Sequence, residues 1–181
     1  MKISCCELDG VLLIEPAVFR DARGFFLETW QQKKFKDAGI DVAFVQNNHS
    51  RSCVGTLRGL HYQKQFPQGK LVRVARGSVF DVAVDLRKNS KTFGRWFGQV
   101  LSDENCLMMY VPPGFAHGFL VLSEIADFEY FCTEFYRPDD ERAIKWDDPQ
   151  IGIEWPFLPG MIPVLSAKDA NAGSFAEAET F

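Results

Sequence analysis

Taking a proton from a carbon beside a carbonyl calls for four kinds of group. A base must be neutral near pH 7, and a cation or donor must meet the enolate oxygen. An acid must return the proton, and a carboxylate behind the base fixes its tautomer. His61, Lys70, Tyr130 and Asp169 supply these four types in a chain of 181 residues. If the acid acts on the face opposite the base, the carbon is inverted. Spacing alone does not bring the four together, and plainer readings stand beside the chemical ones. Histidines inside barrels are often structural, most lysines are solvated, and a buried tyrosine hydroxyl needs only a hydrogen-bond partner.

Other chemistries fit less well. A metal site needs three or four converging ligands. The chain has three histidines, His49, His61 and His117. The first histidine-bearing strand reads His61-Tyr62-Gln63 rather than H-x-H, so no metal is expected. Neither a P-loop nor a G-x-S-x-G elbow occurs. The five cysteines (Cys5, Cys6, Cys53, Cys106 and Cys132) contain no CxxC pair. They suggest reduced thiols in a cytoplasmic protein, not a disulfide framework, a zinc site or an activated thiolate. A net charge of −4 speaks against non-specific nucleic-acid binding but leaves room for a local basic pocket for a phosphorylated small molecule. Glu7 and Asp9 interrupt the N-terminal apolar residues, and no run approaches the ~18 that a membrane span needs.

The residues that could react lie on segments with strand periodicity. Phe80, Val82, Val84 and Leu86 share one face and Asp81, Ala83 and Asp85 the other, which predicts a strand with one face in a core. Gly77-Ser78 predicts a tight turn joining two antiparallel strands. His61 and Lys70 then fall on adjoining strands of one sheet. Leu57, Gly59, His61 and Gln63 share a face, with Gly59 leaving room near His61. Phe128, Tyr130 and Cys132 also share a face, which points Tyr130 inward. His49 reads as a turn or hydrogen-bonding histidine, and His117 follows a Pro-Pro-Gly turn. Trp30–Ala38 predicts a helix with Thr29 as N-cap and Gly39 at C′. Phe19–Glu28 predicts a hairpin with Arg23 in a solvated turn beside phenylalanines. Residues 149–163 read as loop, and Ala170–Phe181 as a mobile tail. Short strands at about ten-residue spacing, separated by Gly/Pro turns, point to an all-β sandwich or jelly-roll barrel. The 17 phenylalanines suit a wide aromatic-lined interior. One domain is expected, with an arm over about 1–40, a barrel over about 41–148 and a C-terminal segment over 149–181.

Longer strings carry a resemblance. Arg23-Gly24-Phe25-Phe26, Phe44-Val45-Gln46-Asn47-Asn48-His49-Ser50, Leu57-Arg58-Gly59-Leu60-His61, Gln68-Gly69-Lys70-Leu71-Val72-Arg73, Val79-Phe80-Asp81-Val82-Ala83-Val84-Asp85, Pro113-Gly114-Phe115-Ala116-His117-Gly118-Phe119 and Ser166-Ala167-Lys168-Asp169 occur in order. Together they make the chain from about Val11 to Asp169 resemble the dTDP-4-dehydrorhamnose 3,5-epimerase family. The resemblance implies a cupin-type jelly-roll homodimer that works without metal or cofactor in dTDP-L-rhamnose synthesis. It implies His61 as the base at C3 and C5 of the 4-keto sugar, Asp169 as its dyad partner, Lys70 at the enolate and Tyr130 as the acid. Phe19, Arg23, Glu28, Gln46, Asn48, Arg58, His117, Glu141 and Lys168 match positions that hold substrate. The arm bearing Phe19, Arg23 and Glu28 is implied to cross the dimer to the nucleotide. Glu129 and Phe131 stand where the family often has leucine and lysine, and Pro113 where it often has glutamate. Alternation turns Glu129 and Phe131 away from Tyr130, so the acid should survive. Epimerisation at C3 alone, a ketoisomerase and a non-catalytic nucleotide-sugar-binding barrel are the other readings.

Overall fold

The alternating segments form thirteen strands. In chain order these are β1 (Lys2–Cys5), β2 (Leu12–Glu15), β3 (Val18–Asp21), β4 (Gly24–Leu27), β5 (Gln46–Cys53), β6 (Leu57–Gln63), β7 (Lys70–Arg76), β8 (Ser78–Asp85), β9 (Trp96–Ser102), β10 (Met108–Val111), β11 (Phe115–Val121), β12 (Ile125–Cys132) and β13 (Glu141–Ala143). They belong to a computed structural model that describes residues 1–181. Helices α1 (Gln32–Asp37) and α2 (Ala167–Ala170) are short. A six-stranded sheet in the order β1-β2-β10-β7-β12-β5 faces a five-stranded sheet in the order β13-β6-β11-β8-β9, and β3–β4 stands apart as a hairpin. The fold is a cupin-type jelly roll.

Apolar side chains between the sheets hold them together. Val72, Val74, Met109 and Phe128 from the six-stranded sheet meet Val79, Ala83, Leu101, Phe115 and Phe119 from the other. Each of these side chains larger than Ala83 contributes about 1.5–3 kcal/mol when fully buried. Two further layers cover the outer faces. Phe35 and Ile40 pack with Ile14, Leu71, Met108 and Tyr110. Ile144, Ile151 and Trp155 pack with Leu60, Tyr62, Val82, Val84 and Leu120.

That second layer corrects the reading of β8. Its period of two is present, but both faces are buried. Val82 and Val84 lie under the C-terminal segment, whereas Val79 and Ala83 face the interior. Asp81 and Asp85 are both buried. Asp85 is satisfied by Arg87, Ser90 and Thr92. Gly77, at φ +78°, does not close a hairpin. It passes the chain from β7 in the six-stranded sheet to β8 in the five-stranded one. His61 and Lys70 therefore occupy facing sheets, not adjoining strands.

Three other expectations also change. The N-cap of α1 is Gln31, whose Oε1 accepts from Lys34 N at 2.6 Å. Thr29 is not the cap, because the ring of Trp30 is used against Phe35 and Phe44 before the first turn begins. The tail after Ala170 is docked. Phe181 N donates to Leu86 O and Lys88 N to Phe181 O, both at 2.8 Å, while the Phe181 ring meets Tyr62. Small polar neighbours had masked Phe175 and Phe181 as apolar anchors. Finally, the space beside Gly59 belongs to the next strand and not to a ligand. A Cβ at Gly59 (φ +121°) would lie 2.6 Å from Gly118 Cα and 2.8 Å from His117 O.

Gly59→Ala combines a disfavoured backbone with a clash against main chain that cannot swing away. It is expected to destabilise the fold by about 3 kcal/mol or more. Urea denaturation followed by tryptophan fluorescence checks this, and an unchanged midpoint would contradict the packing described.

Candidate active site

A cavity of about 510 Å³ opens between the two sheets. Strand alternation aims His61 (β6) and His117 (β11) into it from one sheet, and Lys70 (β7) and Tyr130 (β12) from the other. Arg58, Gln46, Asn48, Glu141 and Asp169 also line it. The four residues proposed for proton chemistry thus share one cavity.

Asp169 arrives there because Ser166 caps α2. Ser166 Oγ accepts from Asp169 N at 3.1 Å and donates to Asp169 Oδ2 at 2.7 Å. The other carboxylate oxygen lies 2.6 Å from His61 Nε2. Gly59 N donates to the same oxygen at 3.4 Å. Asp169 is only 2% exposed. Burial pushes its carboxyl up, but the bonds from His61 and Ser166 outweigh that and hold it below the usual carboxylate range. An ionised Asp169 accepts a hydrogen bond from Nε2–H of His61, which leaves Nδ1 as the nitrogen with a free lone pair. Glu141 Oε1 stands 3.8 Å from that nitrogen. Burial also pushes Glu141 up, and Lys168 and Tyr136, both bonded to it, hold it below its ordinary value. The same contact raises the Tyr136 hydroxyl to about 12.

On the facing sheet Lys70 forms no ion pair. Its surface is partly open, but protein surrounds the ammonium, and that burial lowers its pKa while Cys132, Asp81 and Glu141 oppose the shift. Its Nζ lies 6.0 Å from the Tyr130 ring centre. Burial raises the pKa of Tyr130, so its phenol carries a proton throughout the neutral range. The residues flanking it point outward, as alternation requires. Glu129 bonds Arg73 at 2.8 Å, and Phe131 packs on Phe44.

Around the four residues proposed for proton chemistry lie polar side chains with fixed orientations. Ser52 Oγ accepts from Arg58 Nε and Nη2 at 3.2 and 3.0 Å. Gln46 Nε2 donates to Asn48 Oδ1 at 3.0 Å. His117 Nε2 faces both oxygens of Asp81. His49 lies outside the cavity on β5, a strand and not a turn, 3.3 Å from Asp127 and 3.5 Å from Glu129. Phe19, Arg23 and Glu28 do not line the cavity of their own chain. Phe19 is 64% exposed, Arg23 bonds Asp21 and Glu28 bonds Lys34. Lys168 reaches the site through Glu141.

Sequence reasoning passed over Ser166, Tyr136 and Asp81. Ser166 and Asp169 make a Ser-x-x-Asp pair, a helix-start signal that was there to read. Asp81 interrupts an apolar strand, which marks a buried carboxylate in need of a partner. Tyr136 lies in a loop and carries no such signal.

Comparison with known proteins bears on the same chain. A family model described as dTDP-4-dehydrorhamnose 3,5-epimerase matches residues 5–177. A Pseudomonas aeruginosa dTDP-4-dehydrorhamnose 3,5-epimerase is 53% identical over 182 residues, covering 100% of this chain and 99% of that protein. A Legionella pneumophila dTDP-6-deoxy-D-glucose-3,5-epimerase, solved in complex with dTDP-4-keto-L-rhamnose, superposes with a TM-score of 0.92 at 51% identity. That match covers 96% of this chain and 92% of that one. A 3'-monoepimerase from Streptomyces bikiniensis, solved with dTDP-quinovose, superposes at 0.88 with 35% identity, covering 94% of this chain and 86% of that one.

Proposed function

The chain belongs to the dTDP-4-dehydrorhamnose 3,5-epimerase family, and on that premise we propose that it inverts C3 and C5 of dTDP-4-dehydro-6-deoxy-D-glucose with the groups in its cavity. The observation that carries this reading is the division of labour between the sheets. The His61–Asp169 dyad, at 2.6 Å, approaches from the five-stranded side, and Lys70 and Tyr130 approach from the six-stranded side. A sugar ring between them meets a base on one face and an acid on the other, which inversion requires.

His61 Nδ1 takes the proton beside the C4 ketone, and Asp169 stabilises the imidazolium that forms. Lys70 meets the negative charge that develops on O4. Tyr130 then gives its proton to the opposite face of the carbon. Once His61 has given up its proton and Tyr130 has regained one by exchange with solvent, the same cycle serves the second carbon, because C3 and C5 both flank the same carbonyl. Arg58, Gln46, Asn48, His117, Glu141 and Lys168 hold the substrate. An arginine suits the diphosphate because its fork can bind two oxygens at once.

The β3–β4 hairpin supports a homodimer in which the arms are exchanged. Phe19, Phe25 and Phe26 are 64%, 52% and 68% exposed on it, and a lone two-stranded hairpin is marginally stable in water. A second copy would cover these rings and receive Phe19, Arg23 and Glu28 at its nucleotide end. Five free thiols fit a reducing, cytoplasmic setting. No helix is long and apolar enough to cross a membrane.

Incubation with dTDP-4-dehydro-6-deoxy-D-glucose in D₂O tests the reaction, with deuterium read by NMR and the L-lyxo product trapped by a 4-keto reductase. Deuterium is expected at both C3 and C5. Label at C3 alone would mean a monoepimerase like the Streptomyces bikiniensis protein. No label despite binding would sink the proposal for this substrate.

A further inference from the structure

The interior holds a second histidine–carboxylate pair, for which the proton transfers above have no use. His117 on β11 is the register partner of His61 on β6, so both imidazoles rise from the same face. On the other side of β11 lies β8, where Asp81 is fully buried. Its oxygens each lie 3.0 Å from His117 Nε2, and it has no other hydrogen-bond partner. Asp169, His61, His117 and Asp81 thus form a row, with the histidines inside and the carboxylates at the ends. Nδ1 of His117 has no hydrogen bond within the chain. Ser50 Oγ is the one buried side-chain polar atom without a partner, so Nδ1 of His117 is open to the cavity.

A buried carboxylate with a single donor is costly unless its charge is used. We propose that Asp81 is a positioning residue for the reaction: it holds His117 in the Nε2–H tautomer, which turns an acceptor nitrogen toward the substrate. With Nε2 donating to Asp81, Nδ1 of a neutral His117 can only accept, which suits a sugar hydroxyl. Burial favours that neutral form, and Asp81 only partly opposes it.

This inference rests on the epimerase reading, but part of its test does not. In the wild type, ¹⁵N NMR of the imidazoles, assigned by signal loss in His117→Asn, is expected to show His117 protonated at Nε2. That result needs no substrate, so it stands or falls apart from the D₂O experiment. Asp81→Asn is expected to lower kcat about ten- to a hundredfold, as loss of an orienting partner does elsewhere. The circular dichroism spectrum should be unchanged. A wild-type His117 protonated at Nδ1 would overturn the proposal. So would a folded Asp81→Asn enzyme whose kcat stays within a few-fold of wild type, because packing alone would then explain Asp81. If Asp81→Asn does not fold, the wild-type tautomer decides.

Discussion

His61→Asn is expected to lose turnover by at least the 10²–10⁴-fold that a positioned base supplies, about 3–5 kcal/mol of barrier. Asparagine approximates the shape of the imidazole near its Cγ but cannot take a proton. The carboxylate behind it keeps Ser166 Oγ and Gly59 N as donors, so Asp169 remains partly satisfied and α2 should stay in place. Affinity for dTDP should change only a few-fold, because the groups proposed for the nucleotide are other residues. Calorimetric titration with dTDP and an NMR assay of C3 and C5 exchange separate the two effects. Asp169→Asn should cost less, since it disturbs the base without removing it. Turnover of His61→Asn within a few-fold of wild type would exclude His61 as the base.

That dyad shows what was legible in the sequence and what was not. His61 and Asp169 could be named as types, and alternation turned His61 inward on β6. Their meeting could not be read, because 108 residues separate them and the contact depends on where α2 lands after the C-terminal segment has crossed the five-stranded sheet. The same crossing explains the misreading of β8. Period-two alternation reports that a strand has two faces, but not whether a later segment covers the second. Here Ile151 and Trp155 cover it. The pairing of β7 with β8 was lost for a related reason. A glycine between two alternating runs marks a change of direction, and a jelly roll uses such a change to switch sheets. For the site, that switch matters more than a hairpin would, since it separates His61 from Lys70 across the cavity. The arm was legible as a hairpin, yet no pattern within one chain can say what covers its exposed rings.

Facing sheets also explain why a barrel suits this chemistry. Residues on one strand or on neighbouring strands present their side chains to the same face of a bound ring. Inversion needs groups on both faces, held by elements that do not move relative to each other. The core between the sheets, with Phe119 and Phe128 stacked at 4.2 Å, ties the two walls together beneath the cavity. Each group proposed to react is therefore carried by a strand, except Asp169, whose helix is anchored by its own cap.

Tyr130→Phe should separate the two halves of that cycle. Phenylalanine keeps the ring that packs on Phe128 at 5.9 Å, so the wall and the base opposite should be undisturbed. His61 can still remove a proton and, after its own proton exchanges with D₂O, return a deuteron to the face it came from. Recovered substrate should therefore gain deuterium without inversion. Product trapped by the 4-keto reductase should fall by about 10²-fold or more, the scale of a lost general acid. Burial raises the Tyr130 pKa, so in the wild type this acid stays loaded throughout the neutral range, and its loss cannot be rescued by lowering the pH. The decisive quantity is the ratio of exchange to inversion. In the variant it should rise by about the factor that inversion loses, because only the second proton transfer is impaired. If exchange and inversion fall together, Tyr130 acts before the first transfer, by placing the sugar, and the acid must be sought among the other proton-bearing groups of the cavity.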